Sequence, residues 1–414
     1  MIYIDLTDMV CNSVWQNSFT GIQRVQLEVA TRLCSANVAR PFSLFNGSWH
    51  DLRGEILGCK GDPDVLIRSF RLKHAATVKS KLQFADGYFL PIALRVLRRV
   101  RRLFSDRMMV KQALKNINQG DVLLAMGAFW QVPGVLDVYI RLGSRGVHLV
   151  GMCHDIFSIL RRHGPCASAA AKHMKKFLAI MTTLLVVSAY TRAELRRAVA
   201  LRLVKVRCGD PIVVPLVQQF PGVERNAAIA LTDSLNGAIG RRPYVLLVSS
   251  YEPRKNHLLA FDVWRRLAAQ TSVIPPVLVC AGKRGELASD LLPEHALWID
   301  RPSDEDMRAL YSNCLFSVMP SLEEGWGLPV GEALWFGKVC LSSNSTSLPE
   351  VGDGLSITFD PCDADAMLKH VTELLDEETR GALERNITAS ELRTWDDVGR
   401  DISNILVALG THRP

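Results

Sequence analysis

Short runs dense in Val, Ile and Leu alternate along this chain with longer stretches whose apolar residues return every three or four positions, and the pattern occurs twice. Runs of that kind suit strands buried on both faces, and the stretches between them suit the helices that cover a parallel sheet. In the first half Ile2–Leu6, Val122–Ala125, His148–Cys153, Leu184–Ser188 and Ile212–Pro215 read as strands, with helical period over Ile22–Leu33, Ala169–Met181 and Thr191–Ala200. In the second half Tyr244–Ser249, Val277–Ala281, Leu297–Ile299, Leu315–Met319, Val339–Ser342 and Ile357–Phe359 read as strands. Helices fit His257–Ala269, Asp304–Ser312, Gly331–Phe336, Asp363–Leu375 and Asp396–Leu409. Two such arrays predict an α/β chain of two doubly wound, Rossmann-like domains. The length of 414 residues accommodates them. The polar, small-residue stretch from Glu224 to Arg242 precedes the clean strand YVLLVSS. The predicted organisation is a first domain over 1–225, a linker over 226–242, a second domain over 243–395 and a terminal helix over 396–414.

Composition removes whole classes of function. With 48% hydrophobic and 22% charged residues the chain is not disordered. A net charge of +7 favours anionic partners without identifying nucleic acid. The ten cysteines form no CxxC pair, which predicts reduced thiols in a cytosolic protein. The first twenty residues lack a signal-peptide pattern, and no run reaches the roughly 18–20 apolar residues of a membrane span. The expectation is a soluble cytoplasmic protein, at most peripheral on the inner face of the membrane. One segment invites that attachment: residues 64–112 hold twelve Lys or Arg and three Asp. Within it Leu94, Leu97, Leu103 and Phe104 interleave with Arg95, Arg98, Arg99, Arg101 and Arg102. A basic amphipathic helix of this kind can lie on anionic lipid, or be solvated with its apolar side on the core. Aromatic residues for base stacking are too few for a nucleic-acid surface.

The most informative stretch is Pro320-Ser-Leu-Glu-Glu-Gly-Trp-Gly-Leu-Pro-Val-Gly-Glu-Ala-Leu334, between a strand and a helix. Gly325 and Gly327 permit a tight turn and close backbone approach to a ligand, and Pro329 suits a first helical turn. The helix start presents unsatisfied amides and a positive dipole end, suited to phosphate. Glu324 in the loop and Glu332 in the first turn border the same crevice. Carboxylates repel phosphate, so their natural partners there are sugar hydroxyls. Arg254 and Lys255 follow another strand and supply the cations a diphosphate requires. His154 emerges at the C-terminal end of the run His148–Cys153, facing the cleft beside Asp155. Loop amides for a diphosphate and carboxylates for hydroxyls together describe a nucleotide-sugar site.

The segment EEGWGLPVGEAL resembles the E-x7-E signature of the retaining family 4 glycosyltransferases, which have the GT-B fold. Ser250-Tyr-Glu-Pro-Arg-Lys-Asn-His257 is similar to that family's E-P-R-K-N turn, and Ala281-Gly282-Lys283 to its strand-end glycine. Ser303-Asp-Glu305, Leu310-Tyr311 and Ser347-Leu-Pro-Glu350 extend the likeness. Thr20-Gly-Ile-Gln-Arg24, His154-Asp155 and Ser188-Ala-Tyr-Thr-Arg192 resemble segments of the bacterial O-antigen and capsule mannosyltransferase branch. Many members of the family carry an arginine where this chain has Ser249, so the two-cation clamp is only partly matched.

The resemblance implies two domains facing each other across a cleft, with the terminal helix crossing back to the first. It implies transfer of a hexose, mannose from GDP-mannose foremost, to a lipid-linked glycan or oligosaccharide acceptor in bacterial surface polysaccharide synthesis, with retention of anomeric configuration. His154, Glu324, Lys255 and Arg254 would be the catalytic set. Gly21, Gly282, Gly325, Trp326, Gly327, Leu328 and Glu332 would hold the donor, Glu332 on the ribose. No Asp-x-Asp stands at a strand end, so no metal is expected and positive charge comes from the side chains and helix ends. A GT-B nucleotide-sugar 2-epimerase, or a catalytically dead glycan- or lipid-surface-binding protein, are the alternative readings.

Overall fold

The computed structural model describes residues 1–16, 19–73, 106–160, 167–270, 274–287 and 289–411. The strands of the first domain are β1 (Ile2–Asp5), β2 (Arg40–Ser43), β3 (His50–Asp51), β4 (Val122–Ala125), β5 (His148–Cys153), β6 (Thr183–Val186) and β7 (Ile212–Val213). They lie in the order β3-β2-β1-β4-β5-β6-β7, parallel except for the β2–β3 pair. The second domain has β8 (Tyr244–Val248), β9 (Val277–Gly282), β10 (Ala296–Asp300), β11 (Ser317–Met319), β12 (Cys340–Ser343) and β13 (Ile357–Phe359). Their order is β10-β9-β8-β11-β12-β13, parallel throughout. This is the doubly wound order 3-2-1-4-5-6. The winding direction reverses between β8 and β11, the point where such sheets open a crevice at the strand C-termini.

The strands predicted from the sequence agree within one or two residues. Helices Thr7–Trp15, Arg53–Gly58 and Glu377–Ala389 were not predicted, and three further elements were missed for local reasons. Pro41 interrupts the strand pattern of β2, consistent with its place near the sheet edge. The two-residue β3 is too short to carry a period. Helix Val135–Gly143 begins after Gly134 in a left-handed conformation (φ 82°), without a side-chain cap to announce it. The helix Gly21–Ser35 starts earlier than its apolar period suggests, because Thr20 and Gln23 form a reciprocal capping box.

The domain boundary shifts relative to the expectation. The chain leaves the first sheet after β7, and residues 217–226 already pack on the second domain. The amide of Asn226 donates to the Trp335 carbonyl (3.0 Å), and a β-carbon on Gly331 would stand 2.6 Å from the Cα of Gln218. The predicted linker contains a helix, Asp233–Ile239, with Leu235 and Ile239 buried. An apolar cluster runs from Ile4 and Leu124 through Val217 and Phe220 to Leu246 and Val330, so both domains share one core at the crossing. Helix Trp395–Thr411 returns to the first domain. Arg32 Nε meets Asp396 Oδ1 at 2.7 Å, and Gly399 is packed against the Arg32 side chain. The predicted amphipathic segment Leu94–Phe104 lies outside the described residues. Its described flanks are helix Pro63–Lys73, which buries Leu66, Ile67 and Phe70, and helical residues 106–116. No described helix is long and apolar enough to cross a membrane.

Candidate functional site

The crevice between β8 and β11 is built from two loops fastened to each other. After β8 the chain forms a short turn, Pro253–Lys255, ended by Asn256 at φ 56°. Asn256 Nδ2 donates to the carbonyls of Pro320 (3.1 Å) and Pro361 (2.9 Å), and the Leu322 amide donates to the Arg254 carbonyl (2.7 Å). These bonds set Arg254 and Lys255 beside the loop after β11, which carries Glu324. Lys255 Nζ lies 2.5 Å from Glu324 Oε1, and Arg254 Nη1 lies 3.2 Å from Oε2. Arg254 also donates from Nη1 to the Glu323 carbonyl (3.1 Å) and pairs through Nε with Glu252 Oε2 (3.0 Å). The structure thus unites three of the four charged residues singled out at this crevice, Glu324, Lys255 and Arg254.

The electrostatics fix their protonation. Burial pushes the Glu324 carboxyl up, but Lys255 and Arg254 outweigh it and hold the group below the ordinary carboxylate range. Burial works against the Arg254 charge, yet Glu324, Glu252 and Asp155 more than compensate, and its pKa is raised. Glu324 is an anion at neutral pH between two cations.

The first domain faces this cluster with His154 and Asp155, at the end of β5. His154 Nε2 is 2.8 Å from the Met126 carbonyl, a hydrogen bond that requires the proton on Nε2. Burial lowers its pKa, with that bond opposing, so the imidazole is neutral. Asp155 is raised by burial, while Arg254 across the cleft is the largest influence in the other direction. A β-carbon on Gly325 would stand 2.1 Å from the His154 carbonyl oxygen and 3.3 Å from the Asp155 Cβ. Gly325 is where the two domains touch at the site.

The remaining predicted residues take distinct places. Gly327 sits at φ 107° as the cap of helix Leu328–Trp335, with no side chain capping the helix. A β-carbon there would meet Leu348 Cδ2 at 2.4 Å. Gly21 opens the helix Gly21–Ser35, and its β-carbon position is 3.8 Å from Leu328 Cδ1 in the other domain. Two helix N-termini therefore approach each other across the cleft, both aiming positive dipole ends at it. Trp326, among the expected donor contacts, has its ring buried in the shared core, and Nε1 donates to the Val217 carbonyl at 3.0 Å. It anchors the loop. Gly282, at φ 146°, passes so close to β8 that a β-carbon would lie 2.4 Å from the Ser249 carbonyl oxygen. Its first task is packing of the two strand ends.

Glu332 has partners of its own, apart from the Glu324 cluster. Tyr311 Oη donates to its Oε2 at 2.8 Å. Burial raises its pKa against the pull of Arg24 and the Tyr311 bond. Arg24 reaches over from the first domain, with Nη2 2.6 Å from Asp304 Oδ1 and its guanidinium 5.7 Å from the Phe220 ring centroid. The two glutamates of the E-x7-E pair border one cleft but face different groups.

The site also uses residues to which the sequence reading assigned no part. Thr346 Oγ1 accepts from the Glu324 amide (3.0 Å), and Ser347 Oγ donates to the carbonyls of Glu324 (2.9 Å) and Trp326 (2.8 Å). The sequence signal for them was the loop Ser347-Leu-Pro-Glu350, legible as a motif but not as a brace. A cavity of about 890 Å³ opens elsewhere, at the domain junction, lined by Glu28, Arg32, Asp304, Arg308 and Asp396 among others.

Two doubly wound sheets, their strand C-termini facing across a charged cleft, define the GT-B fold. The solved structures agree. Sucrose-phosphate synthase from Thermosynechococcus elongatus superposes with a TM-score of 0.64 at 14% identity, covering 99% of this chain and 98% of that one. Anabaena HepE in complex with UDP and glucose gives 0.61 at 12% identity, covering 98% and 99%. Residues 234–390 match the family described as glycosyl transferases group 1. O-antigen chain mannosyltransferase B of Escherichia coli is 27% identical over 230 residues, 52% of this chain and 57% of that protein. The serotype-specific mannosyltransferase WbdA of the same organism is 32% identical over 144 residues, 33% of this chain and 18% of that protein. The chain thus spans little more than half of the first relative's length and under a fifth of the second's. It is similar to the family 4 glycosyltransferases of GT-B fold, and among them to bacterial O-antigen mannosyltransferases.

Proposed function

We propose that this protein is a retaining glycosyltransferase that moves a hexose, mannose from GDP-mannose in the first instance, to a lipid-linked glycan of a bacterial surface polysaccharide. The observation that carries the reading is the Glu324–Lys255–Arg254 cluster at the sheet switch point, set opposite His154. The donor's diphosphate would take Lys255, Arg254 and the positive dipole end of helix Leu328–Trp335, which neutralise the charge growing on the leaving group. Releasing those cations leaves Glu324 free to accept hydrogen bonds from sugar hydroxyls. Glu332 accepts from the ribose, and neutral His154 lies near the transferring sugar. The C1–O bond to the diphosphate breaks as the acceptor oxygen forms a new bond on the same face, and the departing phosphate oxygen takes the acceptor's proton. Two side-chain cations and helix ends supply the positive charge, so transfer needs no divalent ion. The E. coli relatives, mannosyltransferases by name, support the mannose assignment.

Charge distribution supports an anionic membrane surface as partner. Residues 1–213 carry 31 Lys and Arg against 14 Asp and Glu, a net +17, whereas residues 214–414 carry 18 against 28, a net −10. A dipole of that size orients the first domain, which would receive the lipid-linked acceptor, toward anionic headgroups.

A thermal-shift panel of nucleotide diphosphates tests the donor assignment, since a ligand bound only by the native state raises its apparent stability. GDP-selective stabilisation is expected. UDP selectivity would overturn the mannose reading, and no response to any nucleotide would overturn the transferase.

A further inference from the structure

A two-pronged polar contact joins the domains outside the charged cluster. Glu350, on the short helix Leu348–Gly352 of the second domain, reaches the first domain at the start of helix Ala189–Ala200. Its Oε2 accepts from the Ala189 amide and its Oε1 from the Tyr190 amide, both at 2.7 Å. Ser188, the N-cap of that helix, satisfies the Thr191 amide with its own hydroxyl at 3.0 Å. The carboxylate from the other domain completes the cap and sits at the positive end of a twelve-residue dipole.

The segment bearing Glu350 is the one that braces the catalytic loop. Thr346 and Ser347 hold the amide and carbonyl of Glu324, and Leu348 fills the space left by the missing side chain of Gly327. Thr346 takes a left-handed conformation (φ 59°), which a β-branched residue adopts only when its surroundings impose it. Residues 346–350 are therefore a rigid strut, gripping Glu324 at one end and the first domain at the other. Gly325 touches the His154 carbonyl from the same loop, so the state in which Glu350 is engaged is the state in which the loop carrying Glu324 meets His154 through Gly325.

We propose that Glu350 is an inter-domain latch and a positioning residue. Its two charge-assisted hydrogen bonds hold the cleft shut and transmit closure to Glu324 through Ser347. The inference rests on the transferase reading for its catalytic consequence, but the latch itself is a statement about domain geometry.

Two substitutions separate the latch from a merely structural role. Glu350→Ala removes both bonds. Ala189→Pro removes one amide at the first helical position, where proline is tolerated, and the preceding Ser188 already has the extended backbone (φ −154°, ψ 157°) that proline requires. Small-angle scattering or a fluorescence distance between labels on the two domains reads closure in the presence of GDP and UDP. Glu350→Ala should shift the population from closed to open by about tenfold or more, and Ala189→Pro should do so to a lesser degree. The two changes together should cost no more than Glu350→Ala alone. In transfer assays kcat should fall about tenfold while nucleotide diphosphate affinity stays within about threefold, and Glu350→Asp should recover part of the loss. An unchanged domain distance in both variants would overturn the latch, whether or not the protein transfers sugar. An open cleft with unchanged kcat would overturn the link to Glu324.

Discussion

The Cα of Gly325 lies so close to the carbonyl of His154 that a β-carbon would stand 2.1 Å from the oxygen. A residue of one domain thus presses on the backbone of the other at the point where the charges gather. Gly325→Ala should fold, because the clash is between domains and not within one. It should hold the cleft ajar and lower kcat about tenfold or more, with the thermal midpoint little altered. An alanine variant of full activity would show that this contact plays no part in the proposed transfer.

Lys255→Ala removes one of two cations from a buried carboxylate. The stability cost should stay below the roughly 3–5 kcal/mol of leaving a buried charge wholly unpaired, because Arg254 remains 3.2 Å from Glu324. Loss of one electrostatic contact at a reacting centre lowers turnover by about a hundredfold. The pH dependence carries a sign. Glu324 is held below its ordinary range, so the stability it contributes is present above its unfolded pKa and is lost as pH falls through the folded one. In Lys255→Ala the acid loss should begin at higher pH, measured by thermal midpoint against pH.

Asp8 gives the opposite sign. It is buried after β1, accepting from Gln26 Nε2 and the Ala128 amide at 2.9 Å each, and burial raises its pKa to about 6 from 3.8. An acid raised by folding is least costly when protonated. Its cost is absent below about pH 4, grows toward pH 6 and is complete above, reaching up to roughly 3 kcal/mol. Gln26 Oε1 makes no hydrogen bond among the described residues. On rotation of the Gln26 amide that oxygen would accept from the side-chain amide that Asp8→Asn introduces. Asp8→Asn should therefore gain stability over the wild type across that window and hold the gain at pH 7. Equal pH profiles for the two proteins would refute the assignment.

The charge division between the domains predicts salt-sensitive binding to vesicles containing phosphatidylglycerol and little binding to phosphatidylcholine alone. Co-sedimentation at two ionic strengths checks it. Equal binding to both vesicles would remove the anionic surface as partner.

Much of the fold was legible because a parallel sheet buried on both faces writes itself as apolar runs: β4, β5 and β13 match the predicted bounds. The site loops could be singled out because strand, Glu-Glu-Gly-x-Gly-Leu-Pro, seven-residue spacing and helix occur together and resemble a known family signature, whereas Gly-x-Gly or Arg-Lys alone would not have sufficed. What depends on distance in the chain was hidden. Glu350 and Ala189 are 161 positions apart, and nothing local to either residue announces the other. The place of the Trp326 ring was hidden too, because the core that buries it and the Val217 carbonyl that accepts from its Nε1 come from a segment 109 positions away. Glu332 follows Glu324 at the family spacing, yet the helix turns it toward Tyr311, a geometry that spacing alone does not convey.

The most direct test is calorimetric titration of GDP-mannose into wild-type protein, Glu324→Gln and Lys255→Ala, paired with transfer to a lipid-linked glycan acceptor. The account predicts that wild type binds and transfers, that Lys255→Ala loses affinity, and that Glu324→Gln loses about a hundredfold in turnover. Wild-type binding and turnover in both variants would contradict it.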